Sequence, residues 1–472
     1  MPPAARGLSP PDPLNGGVKG GAEERKRETG AIAMRECFEP KFETMDRKDL
    51  AQFQLERLQE TLVRVARNVP LYRKRFAEQG IDPESFADLA DVRRLPFTTK
   101  ADLREAYPYG LFAVPLRDVV RLHASSGTSG KPVVAGYTRN DVKAWSRLVG
   151  RVLVAAGASR DDIVQIALGY GLFTGGMGFH YGAEAVGAAV IPASSGGTRR
   201  QVAIMQDYRT SVFVATPSYA LHVAETLDAM DVNVNALSLR YGLFGAETWT
   251  EAMREAIEDR LKLTATDNYG LSEIMGPGVA GECLEKAGMH VSEDYFLIEI
   301  IDPATGEPLA DGEEGELVIT TLAKEAFPMI RYRTGDITRI IPEPCPCGRT
   351  MRRIGRILGR CDDMLIIRGV NVFPSRVESL LLEVEGVTPN YRIVVSRKGA
   401  LDEALVEVEP TEELLFDRVS EHQALLDKLE RRLGSELGVG FAVRLVEPGS
   451  LARGEEGKTI RVADRRGLTP AK

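Results

Sequence analysis

From Asp162 to Thr266 the chain alternates short β-rich runs with helical stretches, and few architectures accept that order. Residues 163–168, 188–191, 211–215, 241–244 and 263–266 read as strands. Residues 177–187, 199–209, 217–229 and 250–262 read as the helices between them. A strand followed by a crossover helix returns to pair in parallel, so a largely parallel sheet covered by helices is expected. Ligands of such sheets sit outside the carboxyl ends of the strands. Gly245-Ala246-Glu247 and Asn268-Tyr269-Gly270 fall at two of those ends.

The grammar changes after Ser292. Residues 295–301, 316–321 and 337–341 are alternating strands joined by turn formers such as Asp302-Pro303 and Asp311-Gly312, which predicts a smaller antiparallel sheet or barrel. Beyond Gly359 the pattern is compact and mixed: strand 364–367, helix 375–383, a hairpin within 391–408, helix 414–435 and strand 441–445. Upstream, Leu50, Phe53, Leu55, Leu58 and Leu62 mark an amphipathic helix from Arg47 to Ala66. The expected class is therefore α/β. A large N-terminal domain (34–359) holds helix-covered, mostly parallel sheets and a small antiparallel β subdomain (292–345). A hinge (360–363) leads to a small, mobile α+β C-terminal domain (364–472).

At 472 residues the chain exceeds one ordinary core. With 43% hydrophobic and 27% charged residues it reads as soluble and globular. A net charge of −8 argues against a nucleic-acid binder, which needs a basic face. No apolar run is long enough to span a bilayer. Five cysteines make no disulfide framework for a chain this long, so the expected compartment is the cytoplasm. Residues 1–33, rich in Pro, Gly and charge without an apolar stretch, read as a disordered extension or as residues upstream of a true start at Met34.

Ser125-Ser126-Gly127-Thr128-Ser129-Gly130-Lys131-Pro132 packs small hydroxyls, two glycines and a lysine into eight residues. Glycines let the backbone approach phosphate, and hydroxyl and amide groups then donate to its oxygens. It is not a Walker A loop: the glycines are too close together, and Pro132 stands where the metal-binding Ser/Thr belongs. A flexible loop clasping a triphosphate fits; an ordinary surface turn is the plainer alternative.

Four further segments accompany it: Gly245-Ala246-Glu247, Tyr269-Gly270-Leu271-Ser272-Glu273, Tyr332-Arg333-Thr334-Gly335-Asp336, and Gly359-Arg360-Cys361-Asp362-Asp363 followed by Gly369. In that order and spacing the five resemble the adenylate-forming superfamily of acyl-CoA synthetases, from about residue 35 onward. Tyr170-Gly171-Leu172-Phe173-Thr174-Gly175-Gly176, Phe327-Pro328-Met329-Ile330-Arg331-Tyr332 and Gly369-Val370-Asn371-Val372-Phe373-Pro374 look like its phenylacetate–CoA ligase branch.

The resemblance implies roles. The loop from Ser125 to Lys131 would hold the β- and γ-phosphates of ATP, and Glu273 would bind Mg²⁺, a hard cation on a hard oxygen. Asp336 would accept from the ribose hydroxyls, and Tyr269 would stack on adenine. Gly245, Ala246 and Glu247, with Asn268, Gly270 and Ser272, would form the remaining nucleotide pocket, and Arg360 would face the phosphates. Lys458, in Arg453-Gly454-Glu455-Glu456-Gly457-Lys458, would bridge the substrate carboxylate and the α-phosphate. Ala452 stands where the family usually has Pro. Asp362 matches the pivot about which the small domain swings between half-reactions. Each residue also has a plain reading: solvated carboxylates, turn formers, a core tyrosine, a surface lysine.

Tyr170, Phe173, Thr174, Gly175, Ala215 and Pro217 are expected to build the acid pocket, where small residues leave room for a flat ring. Separately, Cys283, His290, Cys345 and Cys347 offer three thiolates and an imidazole, a closed tetrahedral set for a structural Zn²⁺; separate buried thiols are the alternative. The expectation is an ATP-, Mg²⁺- and CoA-dependent ligase for a small aryl acid, most simply phenylacetate, with no nucleic-acid or membrane partner and a possible homodimer. Its rivals are a nucleotidyl ligase acting on a deazaflavin cofactor without CoA, and a catalytically silent nucleotide-binding protein.

Overall fold

The structure, a computed structural model, describes residues 36–125, 132–361, 365–367, 370–398, 401–411, 419–451 and 461–465. The expected tail (1–33), Ser126 to Lys131 of the phosphate loop, Asp362 and Lys458 lie outside them.

The first long helix, α1 (Arg47–Asn68), starts where Asp46 accepts from the Lys48 N–H, and it buries Leu50, Leu58, Leu62 and Val65. β1 (Arg121–Ala124) and β2 (Val134–Tyr137) then pair antiparallel. Helix α2 (Arg139–Ala155) begins with a capping box of Thr138 and Asp141. The βα alternation follows as read: β3 (Ile163–Ile166), α3 (Thr174–Val186), β4 (Ala189–Ile191), α4 (Thr198–Asp207), β5 (Val212–Ala215), α5 (Pro217–Ala229), β6 (Tyr241–Gly245), α6 (Glu251–Leu261) and β7 (Thr264–Leu271).

Strands β4, β3, β5, β6 and β7 pair in parallel in that spatial order. The sheet then changes sense. β8 (Gly276–Glu282) and β9 (Met289–Val291) continue it antiparallel, as do β13 (Ile340–Ile341) and β14 (Arg353–Ile354), giving nine strands. A second, antiparallel sheet joins β10 (Phe296–Ile301), β11 (Gly315–Thr321), β12 (Tyr332–Thr338) and β15 (Gly359–Arg360). One expectation shifts: the strand read at 337–341 is split between the end of β12 and β13, and Tyr332 to Asp336, outside that reading, lie on β12. Alternate residues Tyr332, Thr334 and Asp336 of β12 are buried, as a half-buried strand requires.

The C-terminal segment folds around its own apolar cluster, running from Leu365 to Val443 and including Ile393, Val406, Leu429 and Leu433. It holds β16 (Leu365–Ile367), β17 (Val370–Val372), α7 (Pro374–Leu382), β18 (Val387–Lys398), β19 (Leu401–Pro410), α8 (Val419–Leu437), β20 (Ala442–Leu445) and β21 (Val462–Asp464). No helix of the described residues is long and apolar enough to cross a membrane.

A buried ion pair locks α2 to the chain entering β10. Arg151 donates to both Asp294 oxygens at 2.6 and 2.8 Å and to Glu39 at 2.6 Å, and the Arg151 and Asp294 side chains are 3% and 1% exposed. Arg151→Met should lower the unfolding free energy of the large lobe by about 3–5 kcal/mol, because Asp294 would stay buried without its partner. Adding Asp294→Asn should recover part of that loss. Equilibrium denaturation measures both; an Arg151→Met midpoint equal to wild type would contradict the assignment.

Candidate active site

The site hangs on the reversal between β7 and β8. Their register shifts between Tyr269 and Gly270, and the backbones meet so closely there that a Cβ on Gly270 would lie 1.9 Å from the Gly276 carbonyl oxygen. Only glycine fits. The turn between the strands exposes little: Glu273 is 9% accessible, and Ser272 Oγ lies 3.3 Å from Thr174 Oγ1 at the start of α3.

Beside this reversal lies a cavity of 180 Å³. Strand pairing sets Asp336 of β12 opposite Arg360 of β15. The Tyr269 hydroxyl donates to Asp336 Oδ2 at 2.5 Å, Arg360 Nη1 donates to Oδ1 at 2.7 Å, and Arg360 Nη2 donates to the Thr334 carbonyl at 3.1 Å. The Asp336 carboxylate is thus braced from two sides. Burial and that neighbouring charge push the Tyr269 hydroxyl well above its ordinary range. Ala246, Glu247, Asn268 and Gly270 line the same cavity. Ala246 takes a left-handed φ of 68°, and a Cβ on Gly245 would lie 2.4 Å from the Asn268 carbonyl oxygen. Asn268 Nδ2 donates to the Phe244 carbonyl at 2.7 Å, cross-linking β7 to β6. Glu247 accepts from the Ser218 N–H at 2.7 Å, where the α5 dipole favours a carboxylate.

Among the residues of this wall that sequence reading missed are Trp249, Asp267 and Arg356. Burial and the nearby Glu282 push the Asp267 carboxyl up to about 7, while Arg356, 3.9 Å away, opposes them. Position offered a signal for Asp267, which directly precedes Asn268-Tyr269; Arg356 stood in an arginine-rich stretch that gave none.

A second cavity of 160 Å³ shares Ala246, Asn268 and Gly270 with the first. Phe173, Thr174, Gly175 and Ala215, four of the residues read for the acid pocket, line it with Leu168, Phe179 and Pro277, and among the described residues no charged side chain enters the wall. Tyr170 and Pro217 do not line it. The Tyr170 hydroxyl lies 3.3 Å from His180 Nδ1, and Pro217 opens α5, where its missing N–H costs nothing.

Next to residues 126–131, the Ser125 N–H donates to the Val133 carbonyl and the Val133 N–H to Ser125 Oγ, both at 3.0 Å. In the C-terminal lobe Arg461, three residues beyond Lys458, is within electrostatic range of Glu247. Burial pulls the Lys324 ammonium down to about 8; it too was missed, because nothing in its local sequence marks it as interior.

The cysteine–histidine set gathers at the other end of the sheet. Cys283 follows β8, His290 sits on β9, and Cys345 and Cys347 lie between β13 and β14, so the β9–β14 pairing assembles them. All four are buried and their ligand atoms lie within 4.8 Å of one another. Cys283 Sγ is 3.7 Å from Cys345 Sγ, and Cys347 Sγ is 3.4 Å from His290 Nε2. A thiol pair in a disulfide sits at about 2.05 Å. The edge of a tetrahedron around zinc with sulfur ligands at about 2.3 Å is roughly 3.8 Å. The donor set and spacing fit that metal.

Comparison with known proteins agrees with this geometry. The AMP-binding enzyme family profile matches residues 54–323, and the AMP-binding enzyme C-terminal domain matches 369–466. Phenylacetate-coenzyme A ligase from Thermus thermophilus is 50% identical over 91% of this chain and 99% of its own. The phenylacetate-coenzyme A ligase from Escherichia coli is 50% identical over 91% of this chain and 98% of its own. Among solved structures, 2-hydroxyisobutyryl-CoA ligase in its postadenylation state with 2-HIB-AMP is 30% identical, with a TM-score of 0.84 over 90% of this chain and 91% of that one. The same ligase with CoA in its thioesterification state is 31% identical over 91% and 92% and gives 0.67. The chain belongs to the adenylate-forming AMP-binding enzymes, in the phenylacetate–CoA ligase family.

Proposed function

We propose that this enzyme converts phenylacetate, or an aryl acid of that size, to its CoA thioester with release of AMP and pyrophosphate. One observation carries the reading: a cavity of 160 Å³, uncharged among the described residues, opens beside the cavity of the braced Asp336, across a shared wall of Ala246, Asn268, Gly270 and Leu271. A flat apolar ring in the first places its carboxylate toward the second.

The carboxylate oxygen attacks the α-phosphorus, the bond to the β-phosphate bridge breaks, and pyrophosphate leaves. Two anions must meet, so the chain's contribution is charge and orientation. Asp336 accepts the ribose hydroxyls, with Tyr269 and Arg360 fixing the carboxylate that does so; Ser125 to Lys131 hold the outer phosphates. Lys458 bridges carboxylate and α-phosphate. Glu273 would hold Mg²⁺, which screens phosphate charge. The CoA sulfur then attacks the acyl carbonyl and AMP leaves. The small domain turns about Asp362 between the steps, a reading supported by the unequal likeness to two states of one relative. Zn²⁺ held by Cys283, His290, Cys345 and Cys347 would be structural, since four protein ligands leave no open position. The setting is the cytoplasm.

Incubating the enzyme with ATP, CoA and a panel of aryl acids should give phenylacetyl-CoA and AMP, with bulkier ring systems turned over poorly. A product that forms equally well without CoA would overturn the reading. Lys458→Ala should cut pyrophosphate exchange by on the order of 10²–10³ while sparing thioester formation from supplied acyl-adenylate. Equal loss of both half-reactions would remove Lys458 from its role. Protein purified without added metal should contain about one zinc per chain by metal analysis. Cys345→Ser should release that metal and lower the melting temperature more than the turnover of the folded fraction. Carefully prepared protein without zinc would end the metal assignment.

A further inference from the structure

The turn bearing Glu273 is gripped from beneath by side chains that the reaction itself does not use. Lys324 Nζ donates to the Ile274 carbonyl at 2.5 Å, the Tyr137 hydroxyl donates to the Met275 carbonyl at 3.1 Å, and Trp145 Nε1–H donates to the Pro277 carbonyl at 2.8 Å. Three donors from three different parts of the chain thus take carbonyls of the five residues after Ser272. The donors form one packed unit. The Tyr137 and Trp145 rings stack with centroids 5.1 Å apart, and Lys324 Nζ lies 4.3 Å from the Tyr137 ring and 5.6 Å from that of Phe327. Lys324 is 1% exposed and both stacked rings are fully buried.

A buried ammonium is an expensive way to fill space, and a methionine would pack as well. Its cost is offset by the negative charges it faces, which are Asp141 and Glu273. Asp141 is itself spoken for: its two oxygens accept from the Glu325 and Ala326 N–H groups at 2.7 and 3.0 Å, tying down the segment that carries Lys324. Glu273 is different, because it is the neighbour of the very carbonyl that Lys324 holds. We propose that Lys324, backed by Tyr137 and Trp145, is a positioning residue that fixes the Glu273 turn so that its carboxylate is set for a divalent cation before the nucleotide arrives. Groups behind a metal ligand orient it and tune its affinity in this way. The proposal rests on reading Glu273 as the magnesium ligand.

The test is the binding of Mn²⁺ to enzyme saturated with the non-cleavable α,β-methylene analogue of ATP, followed by the loss of the free Mn²⁺ electron paramagnetic resonance signal. Lys324→Met should weaken Mn²⁺ binding about tenfold, the scale of losing one charge-assisted hydrogen bond, and Tyr137→Phe about threefold, that of a neutral one. The KM for the aryl acid at saturating Mg²⁺ should stay within about twofold, because the acid cavity does not touch either side chain. Wild-type Mn²⁺ affinity in folded Lys324→Met overturns the proposal, and so does an equal loss of metal and acid affinity, which a simple packing defect would give. Should Lys324→Met fail to fold, Tyr137→Phe decides by the same two readouts. Glu273→Gln separates the premise from the inference. If it loses Mn²⁺ while the other two variants do not, the inference alone fails; if it binds Mn²⁺ like wild type, the magnesium reading fails and the inference with it.

Discussion

The close backbone contact between Gly270 and Gly276 is the constraint on which the rest of the site depends. It lets β7, the last parallel strand, turn back directly into the antiparallel β8. That change of sense sets Ser272 and Glu273 at the carboxyl edge of the parallel strands, where helices diverge and leave room for ligands. It also leaves Tyr269 on β7 pointing toward the second sheet, whose β12 and β15 deliver Asp336 and Arg360. A side chain at Gly270 would push the strands apart, and one at Gly276 would strike Thr174 and Trp145.

Charge is handled differently on the two sides of the shared wall. Among the described residues the 160 Å³ cavity has no charged side chain for an apolar ring to desolvate. In the 180 Å³ cavity the carboxylates are paired in advance: Asp336 with Tyr269 and Arg360, Glu247 with the α5 terminus, Asp267 with Arg356 at longer range. Preorganised partners of this kind need not reorganise when a nucleotide binds, and electrostatic preorganisation is usually the largest single term in such catalysis. Buried ion pairs elsewhere, Arg151 with Asp294 and Arg254 with Glu282, hold the scaffold rigid around these cavities.

Much of this was legible because it is local. The βα alternation and the glycine-rich motifs depend on residues a few positions apart, and β3 to β6 lie within a residue or two of where periodicity puts them, whereas β7 runs on to Leu271 and β12 begins at Tyr332. Asp336 and Tyr269 were recognisable from their neighbours in sequence. Lys324, Arg356 and Trp249 were not, because nothing local distinguishes a buried lysine or arginine from a solvated one. Nor does a motif give the direction of a side chain: Tyr170 does not line the 160 Å³ cavity, and its hydroxyl turns to His180.

What the sequence alone determined, then, is the βα order of the parallel sheet and the chemical identity of the groups available: a hydroxyl-rich loop, acids, three thiols and an imidazole. Which of them meet was decided only in three dimensions. Cys283 and Cys347 come together through the pairing of β9 with β14, and Tyr269 reaches Asp336 across 67 positions of chain. Lys324 finds the carbonyl behind Glu273 across 50. Such contacts follow from strand order and register, which arise from burying whole faces of the sheets at once, and no short stretch of residues carries that information.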